Sequence, residues 1–182
     1  MNDIVDEAWK KGVALGIQQK EYEWKSLLNL LLMYPHDFIM EIGDYSGGTA
    51  VGLSMLAKNL ITLDLTPLEF DSGSCQHQHV TANSHLLTTQ ETVGGLIPTS
   101  LDILFIDGDH SYAGVKEDFL MYSSYVKPGG IVFFHDIVAS EDHARQGCFV
   151  DQFWNEAKVG HTFTEIIGEP LTWGGIGVIW MP

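Results

Sequence analysis

The first 34 residues repeat apolar positions at helical spacing: Ile4 with Ala8, Val5 with Trp9, then Trp24, Leu27, Leu28 and Leu31. Residues three and four apart share one face of a helix, so this stretch predicts one or two helices packed on a core. After Pro35 the pattern changes to short apolar runs that end in polar residues. They are Phe38 to Ile42, Leu60 to Leu63, Val80 to Ala82, Leu101 to Ile106 and Ile131 to Phe134. Between them Gly48 to Lys58, Leu86 to Val93 and Tyr112 to Tyr125 read as helices, the last with Val115, Phe119 and Tyr122 on one face. Runs that are apolar at every position are strands buried on both faces. The alternation therefore implies an α/β fold, a parallel sheet covered by helices on both sides.

Lys127-Pro128-Gly129-Gly130 reads as the turn delivering the chain into the fifth strand. Beyond it, Cys148 to Lys158 predicts a helix with Val150, Phe153, Trp154 and Ala157 on one face, and His161 to Ile167 and Ile176 to Trp180 predict two strands. Gly168 to Gly175, which contains Pro170, leaves no room for a crossover helix, so these last strands must be antiparallel.

A length of 182 residues fits a single domain, 1–182, with N-terminal helices over 1–34 and a core over 38–180. Hydrophobic content of 45% against 18% charged residues is enough to fill that core. The charge balance is 24 acidic to 9 basic residues, a net of -15. Eight lysines and Arg145 cannot line a phosphate groove, which argues against nucleic acid and anionic membrane surfaces as partners. Cys75 and Cys148 form neither a CxxC pair nor a disulfide framework and read as free thiols in a reducing compartment. The opening MNDIVDEAWKKG is acidic where a signal peptide is basic, so a soluble cytoplasmic protein is expected. Chains this short can pair as homodimers.

In open parallel sheets ligands bind outside the carboxyl ends of the strands, and here those ends are polar. They carry Glu41 with Gly43, Asp64, Asn83 with Ser84, Asp107 with Asp109, and His135 with Asp136. The first is Glu41-Ile-Gly-Asp-Tyr-Ser-Gly-Gly48, a strand, a glycine turn and a helix whose free N-H groups can face a ligand. Its spacing is G-x-x-x-G-G, where a dinucleotide fingerprint needs G-x-G-x-x-G, and Glu41 suits a cationic ligand better than a pyrophosphate. Asp64, 21 residues after Gly43, is placed to accept hydrogen bonds from ribose hydroxyls. Asn83 and Ser84 can read an adenine edge, or Ser84 can cap the next helix.

The order E-I-G-D-Y-S-G-G, L-D, N-S, F-I-D-G-D-H-S-Y, K-P-G-G, F-F-H-D resembles the class I S-adenosylmethionine-dependent methyltransferases. It is most similar to the small O-methyltransferase group related to macrolide sugar methyltransferases and cephalosporin-hydroxylase-like proteins. The resemblance runs from about Phe38 to Trp180, and its most specific pieces are Phe105 to Tyr112 and His135-Asp136. It implies a doubly wound, Rossmann-like, seven-stranded sheet whose last two strands form the antiparallel hairpin. It also implies S-adenosyl-L-methionine over Gly43, Tyr45, Ser46, Gly47 and Gly48, with Glu41 and Asp64 beneath, Asn83 and Ser84 at the adenine, and Asp107, Asp109 and His110 beside it. The family commonly has Thr and Arg where this loop has Asp44 and Ser46, which makes the pocket more acidic.

The implied reaction is methyl transfer to a hydroxyl oxygen of a small or sugar-like acceptor, and two routes can activate that hydroxyl. A divalent cation, Mg2+ or another, can be held by Asp107, His135 and Asp136 and lower its pKa. Alternatively His110 or His135 can act as a general base beside Asp107. Among the matching metal positions His135 is the departure, since magnesium prefers oxygen ligands. The polar segment Ile137 to Gly147, with Glu141, Asp142, His143 and Arg145, is expected to edge the acceptor pocket. Tyr112 and Trp173 read as packing residues. Cys75, His77 and His79, alternating on a polar segment from Pro67 to His79, read as solvated loop before metal clip. Two other classes stay open: a non-catalytic S-adenosylmethionine-binding module and a dinucleotide-binding oxidoreductase.

Overall fold

A computed structural model describes residues 3–182. Two helices, α1 (Asp3–Ala14) and α2 (Glu21–Leu31), precede the core. There follow β1 (Phe38–Ile42), α3 (Gly48–Ser54), β2 (Asn59–Asp64), β3 (Gln76–Thr81), α4 (Leu87–Leu96), β4 (Leu101–Ile106) and α5 (Tyr112–Tyr122). The chain ends with β5 (Val126–His135), α6 (Glu141–Arg145), α7 (Val150–Ala157), β6 (Thr162–Ile166) and β7 (Ile176–Trp180). The strands form one sheet in the order β3-β2-β1-β4-β5-β7-β6. The first five are parallel, and β7 runs antiparallel to both β5 and β6.

Alternation along each strand divides the core in two. Met40, Ile42, Ile61, Leu63, Leu104, Ile106, Val132 and Phe134 face the layer of α4, α5 and α7, where Val93, Val115, Phe153 and Trp154 meet them. Ile39, Leu60, Ile103, Phe105, Ile131 and Phe133 face α1, α2 and α3, against Ala8, Trp24, Leu27, Leu31 and Leu53. Phe105 and Phe133 stack at 4.5 Å across neighbouring strands. Burial on both faces is why these runs are apolar at consecutive positions.

Three expectations change. β3 begins at Gln76 and takes in residues read as loop, because an edge strand needs its backbone ladder more than an apolar face. Its inward histidines, His77 and His79, each lie 2.9 Å from the Thr62 hydroxyl on β2, and Phe70 packs on His77. The Lys127 to Gly130 turn lies within β5, where a register shift against β4 falls between Leu101 and Ile103 and Gly129 and Gly130 pair with Met181. The segment after β5 contains the short helix α6, capped by the Ser140 hydroxyl accepting from the His143 N-H. No helix among the described residues is long and apolar enough to cross a membrane.

Candidate active site

The strand order reverses between β1 and β4, and parallel register brings their ends to one level. Ile42 pairs with both Leu63 and Ile106, the Gly43 N-H donates to the Leu63 carbonyl at 2.8 Å, and the Asp107 N-H donates to Ile42 at 2.8 Å. Gly43, Asp64 and Asp107 thus end three adjacent strands at the crevice where such sheets bind ligands. A cavity of about 840 Å3 lies there. Gly43, Tyr45, Ser46, Gly48, Asp64, Asn83, Ser84, Asp107, Asp109, His110, His135 and Asp136 all line it. Glu41 and Gly47 do not.

Glu41 lies behind the loop, fully buried, and accepts a hydrogen bond from the Thr49 hydroxyl. Burial pushes its carboxyl well up, more than Thr49 offsets. Asp64 is also engaged. One oxygen accepts the N-H groups of Asp44 and Tyr45 at 3.1 and 3.0 Å, and the other accepts the Thr66 N-H and hydroxyl, both at 3.0 Å. It therefore holds the glycine loop in shape. Tyr45, at φ 47, is the exposed lip of that loop. Asn83 folds its amide oxygen onto the His85 N-H at 2.9 Å, and the Ser84 carbonyl accepts from the Tyr122 hydroxyl at 2.8 Å.

The far end of the cavity is a cluster around Asp107 and Asp136. His135 Nδ1 lies 3.5 Å from Asp107 Oδ1 and 3.3 Å from Asp136 Oδ1, and His110 lies 3.2 Å from Asp107 and 3.5 Å from Asp136. Asp136, at φ 64, occupies the left-handed region at the end of β5. Aspartate tolerates that region better than most residues. The bond to Asp107 raises His110 to about 9 against an opposing burial penalty. For His135 the penalty of full burial is outweighed by Asp107 and Asp136, which hold it at about 10. Burial likewise works against Asp136, but the surrounding histidines bring it down to about 2. Both histidines are thus pushed toward their protonated form by the carboxylates beside them.

Several cavity residues carry no motif signal. Gln19, in the link between α1 and α2, donates from Nε2 to Asp107 Oδ2 at 2.6 Å. Nothing in the sequence singles it out, since it stands in the polar run Gln18 to Lys20 between the two helices. His143, on α6, brings Nε2 to 3.4 Å from Asp136 while Nδ1 lies 2.9 Å from the Val138 carbonyl. Trp173 lines the cavity instead of packing away from it, its ring under the Lys20 ammonium at 5.0 Å. Tyr112 does pack, edge-on to Phe153 and bonded to Glu156 at 2.5 Å. Cys75 is buried, and the groups of potential metal ligands among the described residues lie elsewhere, at Asp107, His135, Asp136 and at His110, Asp136, Cys148.

Under the loop after β4, Asp118 is fully buried, 3.3 Å from His85. Burial raises its carboxyl to about 6, partly offset by Ser84 and His85. A carboxyl raised in the folded state stabilises fully below the unfolded value of 3.8, and that contribution is lost as pH rises through 6. Asp118→Asn, which stays neutral, is expected to stabilise the protein by about 1–3 kcal/mol at pH 7.5 and by less at pH 5. Urea unfolding at the two pH values checks this, and a variant no more stable than wild type at pH 7.5 counts against it.

A seven-stranded, mostly parallel sheet ending in an antiparallel hairpin, with its cavity over the parallel strand ends, is the Rossmann-like architecture of the methyltransferases. The chain belongs to the methyltransferase-domain family, whose model matches residues 40–137. An uncharacterized protein of Acanthamoeba polyphaga mimivirus is 33% identical over 113 residues, 53% of this chain, and the match spans half of that protein's length. Among solved structures, the O-methyltransferase TomG from Streptomyces achromogenes, in complex with SAM, aligns over 100% of this chain and 90% of its own with a TM-score of 0.64 at 17% identity. The MycE methyltransferase of mycinamycin biosynthesis, in complex with Mg, SAH and mycinamycin VI, aligns over 97% of this chain and 54% of its own with a TM-score of 0.64 at 12% identity.

Proposed function

We propose that the protein transfers a methyl group from S-adenosyl-L-methionine to a hydroxyl oxygen of a small or sugar-like acceptor. One observation carries this reading: a single cavity runs from Asn83 and Ser84 past Asp64 and the Gly43 to Gly48 loop to the Asp107, His110, His135, Asp136 cluster. Its volume, about 840 Å3, is in the range of small-molecule sites. TomG and MycE, which share the fold, hold SAM and SAH.

In such a transfer the acceptor oxygen forms a bond to the methyl carbon as the carbon-sulfur bond breaks and its electron pair returns to sulfur. The Gly43 to Gly48 loop, fixed by Asp64, orients the donor, and alignment of the reacting atoms supplies much of the rate. Asp109 stays in its own turn, accepting the Ser111 N-H at 2.8 Å, and so sets His110 at the cavity wall. The hydroxyl proton passes to Asp107, since His110 and His135, raised by their carboxylates, favour the protonated form and stand beside it as donors. His143 and Gln146 give the acceptor end polar walls that suit a hydroxylated molecule. A divalent cation fits there in place of the ring proton: His135 Nδ1 lies 3.5 Å from Asp107 Oδ1 and 3.3 Å from Asp136 Oδ1. It would be held by Asp107, His135 and Asp136 and would lower the pKa of the acceptor hydroxyl.

Calorimetric titration with S-adenosylhomocysteine tests the reading, and absence of binding with or without a divalent cation overturns it. Asp64→Ala is expected to weaken that binding about 10–100-fold, since both loop and ribose lose their acceptor. Asp136→Ala is expected to spare it. Equal losses in the two variants would contradict this division of roles.

A further inference from the structure

The donors around Asp136 differ from the all-oxygen, near-octahedral set that Mg2+ demands. Asp136 belongs to two three-residue groups whose ligand atoms lie within 4.8 Å of one another, one with Asp107 and His135 and the other with His110 and Cys148. Their shared carboxylate joins an oxygen and nitrogen set to a nitrogen and sulfur set. Imidazole and thiol suit borderline and softer cations, and neither suits Mg2+.

Two further observations favour a nitrogen-accepting ion. His135 is 4% exposed, and its Nδ1 faces both carboxylates, 3.5 Å from Asp107 Oδ1 and 3.3 Å from Asp136 Oδ1. The Val138 carbonyl, 2.9 Å from His143 Nδ1, accepts from that nitrogen and turns Nε2 toward Asp136 Oδ1, 3.4 Å away. A carbonyl or carboxylate on the far ring nitrogen is how proteins commonly orient metal-binding histidines. The Gly174 N-H reaches the same nitrogen only at 3.4 Å.

We propose that the Asp136 cluster selects a borderline transition cation of the Zn2+, Co2+ or Fe2+ kind over Mg2+, with Asp107, His135 and Asp136 as its ligands and the imidazole and thiol beside them enforcing the choice. This rests on the methyl-transfer reading, in which the cation lies beside the acceptor hydroxyl.

The test uses the full chain freed of metal by chelation, titrated with Co2+ and followed by its visible absorption, then challenged with Mg2+. The expected result is one Co2+ per chain that a hundredfold excess of Mg2+ leaves in place. Because transition ions outrank Mg2+ at many sites, the deciding measurement is the ratio of Co2+ to Mg2+ affinity in His135→Asp, which exchanges the nitrogen for an oxygen. That ratio is expected to fall about 10–100-fold. Cys148→Ser serves as a second variant and is expected to lower the ratio in the same direction.

Failure of wild type to bind Co2+, displacement of Co2+ by equimolar Mg2+, or an unchanged ratio in both variants overturns the proposal. Titration with S-adenosylhomocysteine on the same samples keeps the two ideas apart. If the nucleoside binds while Mg2+ is preferred, the metal inference fails and the methyl-transfer reading survives. If Co2+ binds selectively and the nucleoside does not, the reverse holds.

Discussion

Gly43→Ala is expected to leave little folded protein. Gly43 has φ +85, and a Cβ built on it would lie 2.1 Å from the Asp107 carbonyl oxygen, 2.5 Å from its carbon and 2.6 Å from Gly108 Cα. Both sides of that contact are backbone, and both are pinned: Gly43 donates to Leu63, and Asp107 donates to Ile42, each at 2.8 Å. No side-chain rotation relieves the clash, so the ends of β1 and β4 must separate where Asp107 enters the cavity. The cost is roughly 3–5 kcal/mol, a large fraction of the stability of an ordinary domain. Gly147→Ala is the control. Gly147 has φ +77 but open space around it, so its alanine variant carries only the left-handed backbone penalty, about 1–2 kcal/mol. Urea unfolding and soluble yield compare them, and equal losses would show that the close approach is unimportant.

The same contact shows what a sequence can and cannot reveal. Phe38 to Ile42 and Leu101 to Ile106 are legible as buried strands because helices cover both their faces, and Asp64, Asp107 and Asp136 are legible because each ends such a run. Of β3 only its end, from Val80, is legible, since Gln76 to His79 lies at an edge and its stability comes from a ladder to β2 that composition does not record. Glu41 is visible as a carboxylate near the loop, yet the upward push on its carboxyl comes from burial, which only the assembled layers impose. Gln19 reaches Asp107 across 88 positions of sequence, and no spacing rule spans that distance. The net charge of -15 is legible from composition, but the cavity's own balance includes the histidines of the Asp136 cluster and is set by geometry.

Lys20→Met is expected to destabilise the protein by about 3–5 kcal/mol, the usual cost of removing one partner from a buried ion pair. Lys20 and Glu23 lie 3.4 Å apart with side chains 7% and 0% exposed. The ammonium donates to the carbonyls of Gly168, Pro170 and Trp173 at 2.7, 2.6 and 2.8 Å. Glu23 accepts the N-H groups of Gly168 and Gly175 at 2.8 and 3.0 Å. Many buried ion pairs can be replaced by apolar residues with little loss, because the desolvation cost disappears with the charges. Here that exchange is expected to fail. Lys20→Met with Glu23→Leu would leave five backbone groups of the β6 to β7 loop without partners, each costing about 1–3 kcal/mol if it stays buried. The loop must then open, taking Trp173 from the cavity wall, so the double variant should bind S-adenosylhomocysteine more weakly as well as unfold in less urea. A double variant as stable as wild type would mean that the loop needs no clamp. Glu23→Gln, which keeps one carbonyl acceptor, should fall between wild type and Lys20→Met, because the pair acts through the backbone it satisfies more than through its own attraction.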